Sequence, residues 1–200
     1  MMKLTPVFVT SAADAKGFLQ TDKPIIAVSG KSNVGKSSFI NMLANQAKLA
    51  RTSNTPGRTR LVNYFDFGPF VLADLPGYGF AQAGKAEKEK WGKLMERFFE
   101  NGAAHVFSLF DIRHAPTKED LQMVKYLYYY AIPFTAVATK SDKLGKSRVK
   151  PRIAELAAQL GVPAGNIVAT SAETGKGRDD ALARAEQAVK VFYEPFAEEP

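Results

Sequence analysis

The chain has 200 residues, of which 46% are hydrophobic and 24% are charged, and its formal net charge is +7. This length and composition predict one globular domain with a sizeable core, and the basic excess indicates an anionic partner. No apolar run approaches a membrane span, and the first residues lack the apolar stretch of a secretory signal. The absence of cysteine excludes disulfides and thiolate metal sites, and it fits a reducing compartment.

In chain order, residues 1–22 are predicted to be a lead-in in which residues 7–9 pair as an edge strand. Ser11 and Asp14 resemble a capping box, which predicts a short helix through Leu19. Apolar runs and turn signals then predict strands at 24–29, 61–67, 70–74, 106–110, 134–139 and 167–170. Helical periodicity predicts helices at 37–45, 85–100, 117–130, 146–160 and 178–192.

Strands that alternate with helices predict an α/β fold: a mostly parallel six-stranded sheet with one antiparallel edge strand and helices on both faces. The antiparallel strand comes from the hairpin around Gly68. Residues 23–193 are predicted to be this domain, and residues 194–200 an acidic tail. Ligands bind such sheets at the carboxyl ends of the strands, where the polar loops of this chain lie.

The first of these loops, GKSNVGKSS at residues 30–38, contains the pattern G-x-x-x-x-G-K-[ST] between a predicted strand and a predicted helix. Glycines allow the backbone amides of such a loop to wrap a phosphate chain, and the helix N-terminus adds positive potential. Lys36 can reach the β- and γ-phosphates, and the Ser37 hydroxyl can hold Mg²⁺. This context makes a phosphate-binding loop a better interpretation than a chance match.

Two further loops complete a candidate nucleotide site. Asp74 ends a strand and can hold Mg²⁺, and the Gly77 amide can contact a γ-phosphate. Asp142 can accept two hydrogen bonds from the N1 and N2 edge of guanine, a pair of donors that adenine lacks. Lys140 can lie along the base, and the amide of Ala172 can bind guanine O6. An ordinary Asp-x-Pro-Gly turn and a solvated turn are the alternative interpretations.

The loop at residues 46–60 is long and basic. The Thr59 hydroxyl can complete Mg²⁺ coordination when a γ-phosphate is present, which would order the loop with GTP and loosen it with GDP. Thr55 is the competing candidate, and Thr59 is preferred because it lies nearer the next strand. Seven basic and no acidic residues lie between Lys23 and Phe65, more positive charge than one nucleotide requires.

Together these motifs resemble those of P-loop GTPases, and of the EngB family of ribosome-assembly GTPases in particular. The resemblance runs from about residue 20 to 193. It is carried by GKSNVGKSSFIN (30–41), TPGRTR (55–60), DLPGYGFA (74–81), EKWGKLMERF (89–98), DIRHAPTKED (111–120) and TKSD (139–142).

The resemblance implies a P-loop NTPase G domain that cycles between GTP and GDP with Mg²⁺, in the cytoplasm, and acts on the large ribosomal subunit during assembly. It implies a monomer with no membrane or DNA partner. Lys36, Thr59 and Asn33 are the predicted catalytic residues, and Ser37, Thr59 and Asp74 the predicted metal ligands. The predicted nucleotide contacts are Gly30, Lys31, Ser32, Asn33, Val34, Gly35, Lys36, Ser37, Ser38, Gly57, Arg58, Thr59, Arg60, Leu61, Asp74, Leu75, Pro76, Gly77, Thr139, Lys140, Ser141, Asp142, Thr170, Ser171 and Ala172.

Two positions depart from the general GTPase pattern. Thr139 stands where most GTPases have Asn, which alters the tie to the phosphate loop. Tyr78 stands where Ras-type enzymes have the Gln that orients water, so intrinsic hydrolysis is expected to be slow. Asn33 occupies the position at which cation-activated relatives hold K⁺, and we therefore expect K⁺ to supply part of the charge stabilisation.

Other conspicuous side chains have structural interpretations. His114 is expected at the surface and His105 at a strand start, and Trp91 is expected to be a core or interface anchor. The tyrosines could stack RNA bases, but packing is the preferred interpretation. They are Tyr126, Tyr128, Tyr129 and Tyr130. The mixed charges of the helix at 85–100 fit a solvated face as well as an RNA contact.

Three functions remain open at this point. The first is a slow GTPase that times large-subunit assembly, and the second is a binding module that acts by nucleotide occupancy. The third is a regulatory GTPase for cell division or septation. An ATP-dependent kinase is disfavoured, because Asp142 selects guanine and no lid for a second substrate is visible.

Overall fold

The computed structural model describes residues 4–51, 61–79 and 84–194. In these residues seven strands form one sheet: β1 (Val7–Ala12), β2 (Ile25–Gly30), β3 (Val62–Asp66), β4 (Val71–Asp74), β5 (His105–Asp111), β6 (Phe134–Thr139) and β7 (Ile167–Ala169). The helices are α1 (Lys36–Ala44), α2 (Lys85–Glu100), α3 (Lys118–Tyr129), α4 (Lys146–Leu160) and α5 (Arg178–Tyr193). No helix of the described residues is long and apolar enough to cross a membrane.

The strand order is β1-β3-β4-β2-β5-β6-β7. The pairs within β4-β2-β5-β6-β7 are parallel, whereas β3 is antiparallel to both β1 and β4. The predicted α/β class and the antiparallel strand are confirmed, but the sheet has seven strands instead of six. β1 pairs with β3 from Val7 opposite Asp66 to Ala12 opposite Val62, so the antiparallel strand β3 is not at the edge. This pairing covers backbone groups of β3 that would otherwise form an exposed edge.

The helix predicted from Ser11 to Leu19 is wrong. Ser11 lies in β1, and its hydroxyl donates to Asn63 Oδ1 at 2.6 Å. Asp14 does cap a helix, but only a three-residue 3₁₀ turn over Ala15–Gly17, where it accepts from the Lys16 amide at 3.0 Å. Cross-strand pairing with β3 thus holds residues that the local capping pattern assigned to a helix.

Helices cover both faces, as predicted. One face carries α1 and α5, whose Ile40, Leu43 and Ala185 are fully buried with Phe107 of β5. The other face carries α2, α3 and α4 in a second cluster around Phe98, Leu127 and Leu160. Parallel strands buried on both faces place their carboxyl ends together at one edge, where β2 lies between β4 and β5.

Candidate nucleotide-binding site

The phosphate loop leaves the carboxyl end of β2, a strand whose six residues are all buried. Asn33 and Gly35 both have left-handed backbone conformations, with φ of 65° and 106°. Gly35 is the N-cap of α1 and forms no side-chain cap hydrogen bond, and α1 has no acidic residue in its first turn. The first backbone amides of α1 therefore have no acceptor from a capping side chain or from an acidic residue of the first turn. Together with Lys36, these amides suit an anionic ligand.

Asp74 lies beside this loop because β4 pairs with β2, with Asp74 opposite Val28. The distance between Lys36 Nζ and Asp74 Oδ1 is 3.9 Å. Asp74 is 9% exposed, and its Oδ1 has no hydrogen-bond partner among the described residues. Burial raises the pKa of this carboxyl, and the charge of Lys36 and a bond from Asn63 oppose that rise.

These observations fit a divalent cation. A buried carboxylate oxygen that lacks a donor retains a full desolvation cost, which a cation beside it would offset. Ser37 follows Lys36 in the first turn of α1 and is half-buried, and its hydroxyl supplies a second oxygen of the kind that Mg²⁺ binds. The residues present therefore fit Mg²⁺ at Ser37 and Asp74.

The buried carboxyl of Asp74 also predicts a pH dependence of stability. Because its folded pKa is raised above 3.8, the favourable contribution of Asp74 is present below that value and is lost as pH rises through the folded pKa. We expect Asp74→Asn to increase the free energy of unfolding of the nucleotide-free protein at neutral pH relative to wild type, and less so near pH 3.8. Urea unfolding of both proteins across this range measures the difference, and a constant difference would contradict the prediction.

The loop after β4 lies directly against the phosphate loop. The Tyr78 amide donates to the Gly30 carbonyl at 3.3 Å, and the Ser32 amide donates to the Tyr78 carbonyl at 3.0 Å. A Cβ atom on Gly77 would lie 3.1 Å from the Ser32 nitrogen, so a side chain there would push the two loops apart. These two backbone hydrogen bonds hold the loop that contains Gly77, and Asp74 before it, next to the phosphate loop.

Tyr78 points away from that surface. Its hydroxyl donates to Asp120 Oδ1 of α3 at 2.8 Å, and its ring packs edge-on against Trp91, with 6.0 Å between ring centroids. Trp91 donates from Nε1 to the Pro76 carbonyl at 2.9 Å, as expected of an anchor. Burial and the Asp120 charge raise the pKa of Tyr78 well above its usual value, so the phenol stays protonated and bound to α3.

The TKSD loop after β6 is tied to the other side of the phosphate loop. The Thr139 hydroxyl lies 2.8 Å from the Val34 carbonyl and 3.1 Å from the Phe110 carbonyl. Lys140 donates from Nζ to the Asn33 carbonyl at 2.9 Å and pairs with Asp111 Oδ2 at 3.0 Å. The Thr139 hydroxyl therefore hydrogen-bonds the phosphate loop directly.

A cavity of about 220 Å³ lies between this loop and α1. Asp142 faces it, with a pKa lowered chiefly by a hydrogen bond from Ser171 and also by Lys143. Lys143 Nζ lies 3.0 Å from Asp142 Oδ2 and 2.8 Å from Glu173 Oε2. The residues that line the cavity are Gly35, Ser38, Phe39, Thr139, Lys140, Asp142, Lys143, Thr170, Ala172 and Glu173. A charged acceptor at one end and a helix N-terminus at the other suit a base joined to phosphates.

Several predicted site residues cannot be placed. Thr55, Gly57, Arg58, Thr59 and Arg60 lie outside the described residues, and Leu61 directly precedes β3. The assignment of a metal ligand to Thr59 thus stays a prediction. His114 is exposed and His105 begins β5, as expected.

The sequence interpretation missed three charged residues beside the site, namely Asp111, Lys143 and Glu173. Asp111 ends β5 at the same edge of the sheet as Asp74, and that position is a signal that could have identified it. Lys143 and Glu173 carry no such signal, because only the meeting of two loops brings them together at 2.8 Å.

The fold and this arrangement of loops define the class: a P-loop GTPase. A family model described as 50S ribosome-binding GTPase matches residues 25–140. The probable GTP-binding protein EngB of Desulfitobacterium hafniense is 45% identical over 175 residues, which cover 85% of this chain and 87% of that protein. The chain therefore belongs to the EngB family of GTP-binding proteins.

Solved structures agree in fold. A crystal structure of a probable GTP-binding protein EngB superposes with a TM-score of 0.71 at 24% identity, over 84% of this chain and 99% of that one. A variant of Aquifex aeolicus Era bound to GDP and AlF₄⁻ superposes with a TM-score of 0.68 at 23% identity, over 90% of this chain and 60% of that one. Family membership implies that the protein binds GTP and GDP and supports GTP hydrolysis in general.

Proposed function

We propose that this protein is a slow Mg²⁺-dependent GTPase whose nucleotide state controls its action on the large ribosomal subunit during assembly in the cytoplasm. One observation supports it above the others. The phosphate loop is bonded on one side to the loop after Asp74 and on the other side to the loop that carries Asp142. A change at the γ-phosphate can therefore be transmitted to both neighbouring loops.

The roles of the residues follow from their positions. The first amides of α1 and the Lys36 ammonium bind and orient the phosphates, Ser37 and Asp74 hold Mg²⁺, and Asp142 binds the guanine edge. When bound, Mg²⁺ neutralises charge that develops on the phosphate oxygens. Thr59 is proposed as the further metal ligand that responds to the γ-phosphate.

Slow hydrolysis is proposed from the orientation of Tyr78. Its hydroxyl is engaged by Asp120 and its ring by Trp91, so this side chain is not available to position an attacking water. A GTPase without such a group depends on charge stabilisation from a cation or from a partner. The large ribosomal subunit is the partner proposed to complete the site.

Potassium is the cation proposed to assist, because Asn33 stands at the position at which cation-activated relatives hold K⁺, and it is an exposed residue of the phosphate loop. We expect single-turnover GTP hydrolysis to be faster in K⁺ than in Na⁺ buffer at matched ionic strength. An Asn33→Ala variant is expected to show equal rates in both salts. Equal rates for the wild-type protein would contradict the role of K⁺.

The ribosomal partner is supported by charge as well as by family. Helix α4 begins with Lys146, Arg148 and Lys150, all exposed, close in sequence to the TKSD loop. Contacts of such residues with rRNA phosphates release counterions, so binding to the subunit is expected to weaken steeply as salt rises. Co-sedimentation with purified large subunits over a salt series measures this dependence.

The deciding experiment is single-turnover GTP hydrolysis in K⁺ buffer with and without purified large subunits. Faster hydrolysis with the subunit supports an assembly GTPase. No acceleration, together with tighter subunit binding with GTP than with GDP, favours the second candidate, which acts by occupancy. If the subunit changes neither quantity, the proposal is wrong, and a regulatory GTPase for division becomes the better hypothesis.

A further inference from the structure

Three helices end together on the side of the molecule away from the nucleotide loops. The rings of Phe99 in α2 and Tyr126 in α3 lie 5.5 Å apart, and the Tyr128 hydroxyl donates to the carbonyl of Gly161, the C-cap of α4, at 3.4 Å. Helix α3 ends only a few residues before β6 begins at Phe134. These helix ends therefore lie at the amino ends of the parallel strands, opposite the carboxyl ends that form the nucleotide site.

Exposed tyrosines cover this junction. We name Tyr126, Tyr128, Tyr129 and Tyr130 the tyrosine surface. Tyr129 is 82% exposed, and Tyr128 and Tyr130 are about half exposed. The ring of Tyr130 lies 4.5 Å from that of Tyr126 and 4.9 Å from that of Tyr129, so these three rings form one contiguous group, whereas the ring of Tyr128 packs against Phe134. The packing predicted from sequence applies to Tyr126, whereas Tyr129 is left to solvent.

The electrostatic environment of the tyrosine surface is negative. Helix C-termini carry partial negative charge. The structure describes every residue of α3 and α4, and neither helix has a basic residue in its last turn. Glu96 and Glu100 contribute, after burial and Tyr130, to raising the pKa of Tyr126. Arg97, in the last turn of α2, donates to Glu100 at 3.0 Å.

One basic residue, Lys125, stands close in sequence, one turn before Tyr129 on the exposed side of α3. The formal charges of Lys125 and Arg97 balance those of Glu96 and Glu100, and Arg97 is paired with Glu100. The remaining negative potential is that of the helix C-termini, of which those of α3 and α4 have no basic residue in the last turn.

We propose that the tyrosine surface docks a segment of a partner protein that carries arginine and lysine side chains. Tyrosine faces attract cations, most strongly guanidinium groups, and tyrosines are frequent anchors of protein interfaces. The helix C-termini and Glu96 add to this attraction. They also repel phosphates, so a basic protein segment fits this surface better than RNA, although RNA bases also stack on aromatic rings. The docking surface lies beyond the proposed nucleotide chemistry and does not depend on it.

The test measures fluorescence anisotropy of short labelled probes with the full chain saturated with GDP. The probes are a peptide of alternating arginine and glycine, the same peptide with neutral citrulline for arginine, and a uridine oligonucleotide. The arginine peptide is expected to bind more tightly than either of the others. Tyr129→Leu/Tyr130→Leu is expected to weaken its binding about tenfold, since each exposed cation–π contact contributes a factor of about two to five.

Matched variants separate ring chemistry from structure. Tyr129→Phe/Tyr130→Phe retains both rings and is expected to bind the arginine peptide as wild type does. Tyr193→Leu removes an exposed tyrosine at the end of α5, outside the tyrosine surface, and is expected to change nothing. GDP affinity and circular dichroism check that each variant is folded.

Three results would overturn the proposal. They are failure of the wild-type protein to bind the arginine peptide, equal binding of the citrulline peptide, and loss of uridine oligonucleotide binding alone in the leucine variant. The last result would assign the surface to RNA. Because GDP fills the nucleotide site throughout and no ribosomal particle is present, none of these results depends on the proposed assembly function.

Discussion

Asp142→Asn is expected to weaken GTP and GDP affinity by about 10²- to 10⁴-fold. The bond from the guanine N2 amine to a charged acceptor is lost, at about 1.5–3 kcal/mol, the amine then faces the amide donor of asparagine, and the bond from N1–H is left with a neutral acceptor. The variant is expected to gain affinity for xanthosine triphosphate, whose base carries a carbonyl oxygen where guanine carries the N2 amine. An asparagine amide can donate to that oxygen and still accept from N1–H. Titration of both proteins with fluorescent analogues of the two nucleotides measures the exchange of specificity.

The environment of Asp142 makes this substitution well suited to the test. Its side chain is 14% exposed, and Ser171 and Lys143 hold it at the wall of the cavity. Asparagine has nearly the same shape and keeps an acceptor for Ser171, so the loop is expected to retain its structure. Glu173→Gln, which alters a charge on the same wall, is the matched control and should leave the preference for guanine intact. Unchanged GTP affinity in Asp142→Asn would show that the base contact is assigned wrongly.

Lys36→Ala is expected to weaken every nucleoside di- and triphosphate by about 10²- to 10⁴-fold, with no change in base preference. The side chain of Lys36 is 14% exposed at the N-terminus of α1, where its charge-assisted bonds to phosphate oxygens are poorly screened. Isothermal titration with GTP, GDP and xanthosine triphosphate measures the loss. A variant that lost affinity for GTP alone would contradict a contact with the phosphates.

A second effect of Lys36→Ala concerns Asp74. Without the ammonium 3.9 Å away, the pKa of the buried Asp74 carboxyl should rise further, because only burial and the Asn63 bond remain. The double variant Lys36→Ala/Asp74→Asn removes both charges and is expected to recover thermal stability but not nucleotide affinity. Lys190→Ala, at an exposed position in the last turn of α5, controls for the loss of one positive charge.

The two variants are expected to separate two parts of nucleotide recognition. In the proposed site Asp142 selects the base, whereas Lys36 adds affinity that is common to all nucleotides. Thr139 and Lys140 connect the two parts, through contacts of 2.8 Å and 2.9 Å with the phosphate loop. Loss of affinity in one part is therefore expected to be partly coupled to the other, which a double-mutant cycle of Asp142→Asn and Lys36→Ala would measure.

The local features of this protein could be predicted from its sequence. The bounds of α2 and α4 and the alternation of strands and helices follow from apolar periodicity, which depends on residues a few positions apart. The grouping of Asp74, Asp142 and the phosphate loop was predictable too. Each lies at the carboxyl end of a strand or just after it, and parallel strands end at one edge of a sheet.

Contacts between distant segments were decided only by the tertiary structure. The pairing of β1 with β3, the bond from Tyr78 to Asp120 and the bridge from Lys143 to Glu173 join residues far apart in the chain. No local pattern encodes them, because they depend on which surfaces the packed helices and loops bring within hydrogen-bonding distance. The tyrosines of α3 make the same point. Their position at the end of a helix could be predicted from the sequence. Only the packing of α3 against the ends of α2 and α4 determines that Tyr126 is packed and that Tyr129 faces solvent.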